Sequence, residues 1–471
     1  MNSMEKFDLI VIGSGAGALV AAQAARAGRR TALVDQGPMG GTCLNNGCIP
    51  SKMLIHPADM IRSIQEAEAV GVHARIDKID FSMIMRRMHQ VVDGGRAHME
   101  ETISSRSNLT YYDEKAEFIE DYILKVGSKT LTAPQFVIAS GSRSLVPPIP
   151  GLEESGYLDN VSLLELKEPP KSLIIIGGGY IGCEYGHFFS AMGTEVTILG
   201  RGPRLLGNED PEVSERLHES LSRYCRVLTG HEVLMVERSG KGKVVSAREA
   251  KDGQIKQFEG EEVLLAAGRR SNSDLLHPEG TGVETDRGGW IKVDEYLRTS
   301  KEGIWALGDA TGKHMFRHTA NYEARTVAHN ILQAKDESGW IAADYHAVPY
   351  AVFSHPTVAG VGMKEEEAAA KGLKVLVERA KYTDSAKGVA MAEERGFVKM
   401  ILEEETGKIL GARIIGSSAP ELIQQVVYLM NTDRQDLATA MSSQIIHPTI
   451  NEVLGRVFAR LERSLVREPL S

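Results

Sequence analysis

A strand, glycine turn, helix and strand that occur in the same order twice constrain this chain more than any other feature. Phe7 to Ile12 is a short apolar run that enters Gly13-Ser14-Gly15-Ala16-Gly17-Ala18. A helical stretch from Leu19 to Ala27 follows, then a second strand, Thr31 to Val34, that ends at Asp35. Ser172 to Ile176 begins the second copy, which runs through Gly177-Gly178-Gly179-Tyr180-Ile181-Gly182 and a helix to Met192 into the strand Glu195 to Leu199. In such a unit the first glycine allows a tight turn and the second lets the backbone approach a pyrophosphate. The helix N-terminus then offers unpaired N–H groups and a positive dipole end to the phosphates. One glycine turn is ordinary. Two, about 160 residues apart and each set between strand and helix, predict two dinucleotide sites and an α/β fold with two Rossmann-like domains. Gly13, Gly15 and Gly17, and Gly177, Gly179 and Gly182, are the candidate phosphate-side positions. Ala18 stands at the third glycine position of the first motif and is small enough for close helix–strand packing.

The ends of the second strands differ between the copies. Asp35 lies 20 residues after Gly15, where a carboxylate accepts hydrogen bonds from a ribose hydroxyl. In the second copy Leu199 is followed by Gly200 and Arg201, then Arg204. No carboxylate stands there to repel a 2′-phosphate, and the arginines suit one. This leans the second site toward NADP(H) over NAD(H). The competing reading is two solvated surface arginines.

A length of 471 residues suits about three domains. Ile55 to Ser105 reads as helical and Leu109 to Ile138 as short strands with turns. Pro147, Pro148 and Pro150 form a stiff linker into the second unit. From about Val348 onward, strands (Gly396 to Leu402, Leu410 to Ile415) alternate with amphipathic helices such as Pro420 to Asn431, which predicts a separate α+β domain. The expected division is 1–148 and 274–346 for the first dinucleotide domain, 149–273 for the second, and 347–471 for the α+β domain. The formal net charge is −9, and without a Lys/Arg block the chain offers no electrostatic case for nucleic acid. No apolar run reaches the ~20 residues of a membrane helix. Met1 to Lys6 carries no basic-then-apolar leader. These features predict a cytoplasmic protein.

Four cysteines in 471 residues do not make a disulfide-stapled scaffold. Cys43 and Cys48 lie in Gly40-Gly41-Thr42-Cys43-Leu44-Asn45-Asn46-Gly47-Cys48-Ile49-Pro50-Ser51-Lys52, close enough in sequence to close a small ring. A helix is expected to begin after Pro50. A thiol near a helix N-terminus and a cation has a lowered pKa and supplies a thiolate at neutral pH. Two other readings stand beside this one: a zinc site that recruits Cys183 and Cys225, and a pair of inert buried thiols. His447 is followed by Pro448 and, five positions on, by Glu452. A carboxylate so placed fixes the tautomer of an acid/base imidazole.

With Gly40 to Lys52, Ala139-Ser140-Gly141-Ser142, Gly177 to Gly186 with Glu184, and Ala267-Gly268-Arg269 on the page, the chain resembles the class I pyridine nucleotide–disulfide oxidoreductases. Ala306-Leu307-Gly308-Asp309, Phe353-Ser354-His355-Pro356 and His447-Pro448-Thr449 with Glu452 carry the resemblance over nearly the whole length. It implies FAD at the first unit and NAD(P)(H) at the second. Gly41, Thr42, Ser140, Gly141 and Met315 would contact FAD, Asp309 its ribityl chain, Asp35 its adenosine ribose and Ala116 its adenine through the backbone. Gly268 falls in the second nucleotide set, and Tyr180 suits a lid over the nicotinamide or a packed aromatic. Lys52 would sit near the flavin paired with Glu184. Cys48 would face the flavin, and Cys43 would be the thiol that meets the substrate. His447 would reach the active site of the partner subunit, so chemistry would require a homodimer. No metal is implied.

Within the family the motif set is most similar to the dihydrolipoamide dehydrogenases. The expected substrate is therefore a lipoyl dithiol, free or on a lipoyl-bearing protein, with another low-molecular-weight disulfide reduced by NADPH as the alternative. A non-catalytic flavin-binding protein is a third reading, against which the retention of Cys43, Cys48, His447 and Glu452 speaks. Gln23 stands where glutathione reductases usually have an arginine. Ile445 replaces a second histidine common in dihydrolipoamide dehydrogenases, and Gly200 replaces their acidic residue. No cysteine follows Cys225, so C-terminal thiol pairs are absent. Ile445 and Ile446 suit an apolar wall for a lipoyl ring or dimer-interface packing.

Overall fold

The computed structural model describes residues 4–466. The first three positions of the expected leaderless N-terminus and the last five of the 347–471 span lie outside the described residues.

Two parallel sheets carry the two glycine turns. In the first, the strand order is Ile304–Ala306, Phe136–Ile138, Leu9–Ile12, Thr31–Asp35, Leu109–Asp113. In the second it is Arg226–Leu228, Glu195–Leu199, Ser172–Ile176, Glu262–Leu265. Each turn follows a strand whose neighbours lie on opposite sides, which is the switch point where α/β sheets open a crevice. Leu9–Ile12 is buried at every residue, as a parallel strand covered on both faces requires. The fold is thus two Rossmann-like domains followed by an α+β domain. The last domain is a five-stranded antiparallel sheet in the order Pro349–Val352, Val358–Gly362, Ile409–Ile415, Phe397–Glu403, Val375–Lys381. Helices Ala419–Met430 and Glu452–Val466 pack on it.

The stretch expected to be helical is two helices, Cys48–Glu66 and Phe81–Ser104. The first begins two residues before Pro50, not after it, with Gly47 as its N-cap. Pro50 is tolerated at the third position because the first N–H groups of a helix have no partner within it. Its apolar face, including Leu54, Ala58 and Ile61, packs into the same core as Cys183, Phe188 and Phe189 of the helix Tyr180–Ala191. That packing brings the redox loop of one domain to the nucleotide helix of the other.

The α+β domain is joined to the second Rossmann-like domain by buried charges. Lys399 Nζ lies 2.8 Å from Asp210 Oδ2, and Arg413 Nε lies 3.1 Å from Glu209 Oε1. Lys399 also reaches Glu212 at 2.8 Å and Glu365 at 2.9 Å. Removing one partner of a buried pair leaves a charge without compensation, at a cost of about 3–5 kcal/mol. Lys399→Met is expected to lower the melting temperature of the holoprotein in calorimetry. A superimposable melting curve would show that the pair does not hold the domains together.

Candidate active site

Both nucleotide turns are shaped by a backbone carbonyl. Gly13 has φ +106°, and a Cβ there would stand 2.1 Å from the Ala139 carbonyl oxygen; Gly177 has φ +127°, and its Cβ would stand 2.1 Å from that of Ala266. No side chain fits either position. Gly41, at φ +63°, would press a Cβ to 2.8 Å from Gly15 Cα, so the redox loop lies backbone to backbone on the first turn. Gly17 lies within the helix, where its bareness lets the helix close on Val11. Gly182 does the same against the Gly177 carbonyl.

A cavity of about 560 Å³ runs along the first turn. Gly13, Gly15, Asp35, Gly41, Thr42, Cys43, Cys48 and Lys52 line it, together with Ala116, Ser140, Gly141, Tyr180, Glu184, Asp309 and Met315. Asp35 accepts from Ser14 N and Ser14 Oγ, both at 2.6 Å, and from Gly37 N at 3.2 Å. Asp309 accepts from Ser142 Oγ at 2.5 Å and lies 3.5 Å from Arg269 Nε. Two buried polar atoms of lining residues, Ser140 Oγ and Asn46 Oδ1, have no partner among the described residues. A cavity of this volume with bare glycine backbone, a carboxylate at Asp35 and two buried polar atoms free to take a partner fits FAD. The predicted residues that this cavity does not gather are Gly17, Gly177, Gly179, Gly182, Gly268, Arg201, Arg204, His447 and Glu452.

The redox pair sits at the head of a helix. Cys48 is the first residue of Cys48–Glu66 and Cys43 lies in the short helix Gly41–Asn45. Gly47 between them has no room for a side chain, since a Cβ would stand 2.8 Å from the Thr42 carbonyl. The two sulfurs share a proton. The Cys43 thiol, donating to Cys48, brings Cys48 down to about 7; burial opposes this, and Lys52 and Arg317 add to it. The same hydrogen bond, with burial, pushes Cys43 well above the ordinary thiol range. The reduced pair therefore holds its thiolate on Cys48 and its proton on Cys43. Cys183 and Cys225 are buried away from this loop, with their sulfurs against the carbonyls of Gly178 (3.8 Å) and Gly186 (3.4 Å). Among the described residues, no three His, Cys, Asp or Glu side chains gather to hold a metal.

Lys52 Nζ contacts both oxygens of Glu184, at 2.8 and 3.0 Å, and lies 4.3 Å from the centre of the Phe353 ring. Glu184 is buried and also accepts from Phe353 N at 3.0 Å. His447 Nδ1 meets Glu452 Oε1 at 2.7 Å, and Glu452 Oε2 accepts from Thr449 N at 3.2 Å. Chiefly through the His447 contact, Glu452 lies below the usual carboxylate range. The imidazole is 71% exposed and Ile446 beside it 78%. Within one chain, then, His447 is oriented by its carboxylate but is not brought to the cysteines. Arg201 is exposed and Arg204 half-buried at the end of the strand Glu195–Leu199. Among the described residues neither has an ion-pair or hydrogen-bond partner. Arg317, Ser142 and Asn46 had no role in the sequence reading. Ser142 ends the run Ala139-Ser140-Gly141-Ser142 and Asn46 lies within Gly40 to Lys52, whereas Arg317 has no spacing that would single it out.

The family model described as pyridine nucleotide-disulphide oxidoreductase matches residues 7–324, and that of the family's dimerisation domain matches residues 348–457. The chain belongs to the pyridine nucleotide–disulphide oxidoreductases. As a member it is an FAD-dependent enzyme that exchanges electrons with NAD(P)(H) and acts on sulfur groups. It is 36% identical over 458 residues to mycothione reductase of Mycobacterium tuberculosis (strain ATCC 25618 / H37Rv), covering 96% of this chain and 98% of the relative. It is 34% identical to dihydrolipoyl dehydrogenase of Chlamydia muridarum, covering 95% of each. A solved structure, the Cu(II) complex of the HOCl-induced flavoprotein disulfide reductase RclA from Escherichia coli, superposes with a TM-score of 0.86 at 30% identity. That match covers 97% of this chain and 100% of the other. No helix among the described residues is long and apolar enough to cross a membrane.

On two-electron reduction the thiolate–flavin charge-transfer absorbance is expected to rise with pH about a midpoint near 7, as Cys48 loses its own proton and the Cys43 proton remains to donate to it. Cys48→Ser should abolish the band, and Cys43→Ala should keep it with a higher midpoint because the donor to the thiolate is gone. A band that survives in Cys48→Ser would reverse the assignment of the two sulfurs.

Proposed function

We propose that this protein is an NADPH-consuming reductase of a low-molecular-weight disulfide, working as a homodimer in the cytoplasm. The observation that carries the reading is the pair Arg201 and Arg204. Among the described residues neither has an ion-pair or hydrogen-bond partner, and both stand at the strand end where Gly200 leaves no carboxylate. Two unpaired guanidinium groups there suit a 2′-phosphate, and NADPH drives disulfides toward thiols. The similarity to mycothione reductase supports a small disulfide, and Gln23 in place of a cationic anchor speaks against glutathione disulfide. The dithiol pair needs no further cysteine to complete its cycle.

The residues divide the work as follows. His447 of the partner subunit, held by its Glu452, takes the proton from Cys43. The Cys43 sulfur attacks the substrate disulfide, forms a mixed disulfide and expels one substrate thiolate, which the imidazolium protonates. Cys48, as thiolate, attacks the Cys43 sulfur. The second substrate thiol leaves with a proton from solvent, and a Cys43–Cys48 disulfide remains. Two electrons have passed from the pair to the substrate. FAD, when bound, supplies two electrons from the nicotinamide to reduce the pair again. Lys52, fixed by Glu184, keeps a positive charge beside the Cys48 thiolate.

A second reading, oxidation of a dihydrolipoyl group, is favoured by the exposed Ile445 and Ile446 beside His447 and by the similarity to dihydrolipoyl dehydrogenase. Steady-state assays of a panel of small disulfides with NADPH and NADH, beside dihydrolipoamide with NADP+ and NAD+, separate the two. Efficient turnover of dihydrolipoamide alone would overturn the proposal in favour of the second reading. Replacing both arginines (Arg201→Ala with Arg204→Ala) should lower kcat/KM for NADPH by roughly tenfold or more, the loss of charge-assisted hydrogen bonds, and leave NADH nearly untouched. An equal loss with both nucleotides would place the arginines outside the phosphate site.

Dimer dependence has its own test. His447→Ala and Cys43→Ser are each expected to be inert, while mixed heterodimers of the two regain activity through the one intact composite site. Verified heterodimers without activity would show that His447 does not serve the other chain.

A further inference from the structure

Three aromatic rings from three domains meet beside the second nucleotide turn. Tyr180 opens the helix Tyr180–Ala191 directly after Gly177-Gly178-Gly179. Phe316 precedes the helix Arg317–Leu332, and Tyr350 lies in the edge strand Pro349–Val352. The rings are nearly parallel. Tyr180 lies 6.2 Å from Phe316 at 21° and 6.0 Å from Tyr350 at 19°, and Phe316 lies 6.3 Å from Tyr350 at 16°.

Tyr350 is fixed. Its hydroxyl donates to Glu209, which is buried and accepts from Arg413 Nε at 3.1 Å. Arg413 in turn donates to the carbonyls of Val361 (2.7 Å), Ala412 (2.8 Å) and Gly362 (3.0 Å). A Cβ at Gly360 would stand 2.3 Å from the Tyr350 hydroxyl oxygen, so the bare strand is shaped to the phenol. Tyr180 differs. Its hydroxyl has no partner among the described residues, its ring is 36% exposed, and it lines the cavity with Lys52 and Glu184. A ring held only by stacking leaves at far lower cost than one tied into a buried ion pair.

We infer that Tyr350 is a positioning residue of the nicotinamide site: anchored through Glu209 to Arg413, its ring forms the resting place of the Tyr180 ring, which NAD(P)(H) displaces on binding. The inference rests on the reading of the second unit as the nucleotide site with Tyr180 as its lid. A resting lid competes with the ligand, so the apparent affinity is the intrinsic one reduced by the fraction of lids displaced. Removing one ring pair shifts that equilibrium about two- to twelvefold.

Isothermal titration of NADP+ and NAD+ into the holoenzyme tests this with Tyr350→Ala, Tyr350→Phe, Tyr180→Ala and the double variant. Tyr350→Ala is expected to tighten the preferred nucleotide about two- to twelvefold and to lower its KM without a matching rise in kcat. Tyr350→Phe, which keeps the ring but loses its bond to Glu209, should fall between the wild type and Tyr350→Ala. In the Tyr180→Ala background, Tyr350→Ala should have no further effect. Binding that is unchanged or weakened by Tyr350→Ala, or an equal effect with Tyr180 already removed, overturns the inference. Should Tyr350→Ala fail to fold, Tyr350→Leu replaces it with the same expected signs. If neither nucleotide binds the wild type or bleaches its flavin, the nucleotide reading itself falls and takes the inference with it. Normal binding without a Tyr350 effect removes the inference alone.

Discussion

The contact between Lys52 and Glu184 ties the molecule together at the place where chemistry is to occur. Lys52 stands one turn along the helix that begins at Cys48. Glu184 stands on the helix that follows the second glycine turn, and its remaining hydrogen bond comes from the backbone of Phe353 in the α+β domain. Three domains are therefore registered on one carboxylate. Because Glu184 is buried, it needs both partners, and the ammonium it holds is also the cation that steadies the Cys48 thiolate. Domain assembly and thiol reactivity are set by the same charge.

The asymmetry of the two sulfurs follows from position more than from composition. Both belong to one short loop, yet Cys48 has the helix start and Lys52 while Cys43 has the proton. A pair arranged this way keeps its thiolate in reserve on Cys48 until a base reaches Cys43. His447, oriented by Glu452 and facing away from its own chain, is a base suited to arrive from outside.

Much of this was legible in the sequence because the rules concerned are local. A glycine turn between strand and helix, a cysteine pair around a glycine, and a histidine five residues before a carboxylate each occupy a few consecutive positions. Ser172 to Ile176 and Glu195 to Leu199 coincide with the observed strands for that reason. The redox helix starts at Cys48, ahead of Pro50, because a proline reads as a boundary in sequence but in a first turn interrupts nothing. The Tyr350–Glu209–Arg413 chain was not legible. Its members lie 141 and 204 positions apart, and a tyrosine, a glutamate and an arginine in isolation read as surface residues. Arg317 escaped for the same reason, since its effect on the cysteines passes through space.

Gly13 and Gly177 illustrate a different kind of constraint. What excludes a side chain at each is the peptide oxygen of a neighbouring strand end, Ala139 in one case and Ala266 in the other. A clash between two side chains can be relieved by shrinking either one, so it admits second-site suppressors. A clash with main chain has nothing to shrink, whatever residue is written at the opposing position. These two glycines are therefore positions that drift cannot reach by compensation, and any lineage that keeps the two crevices open must keep both.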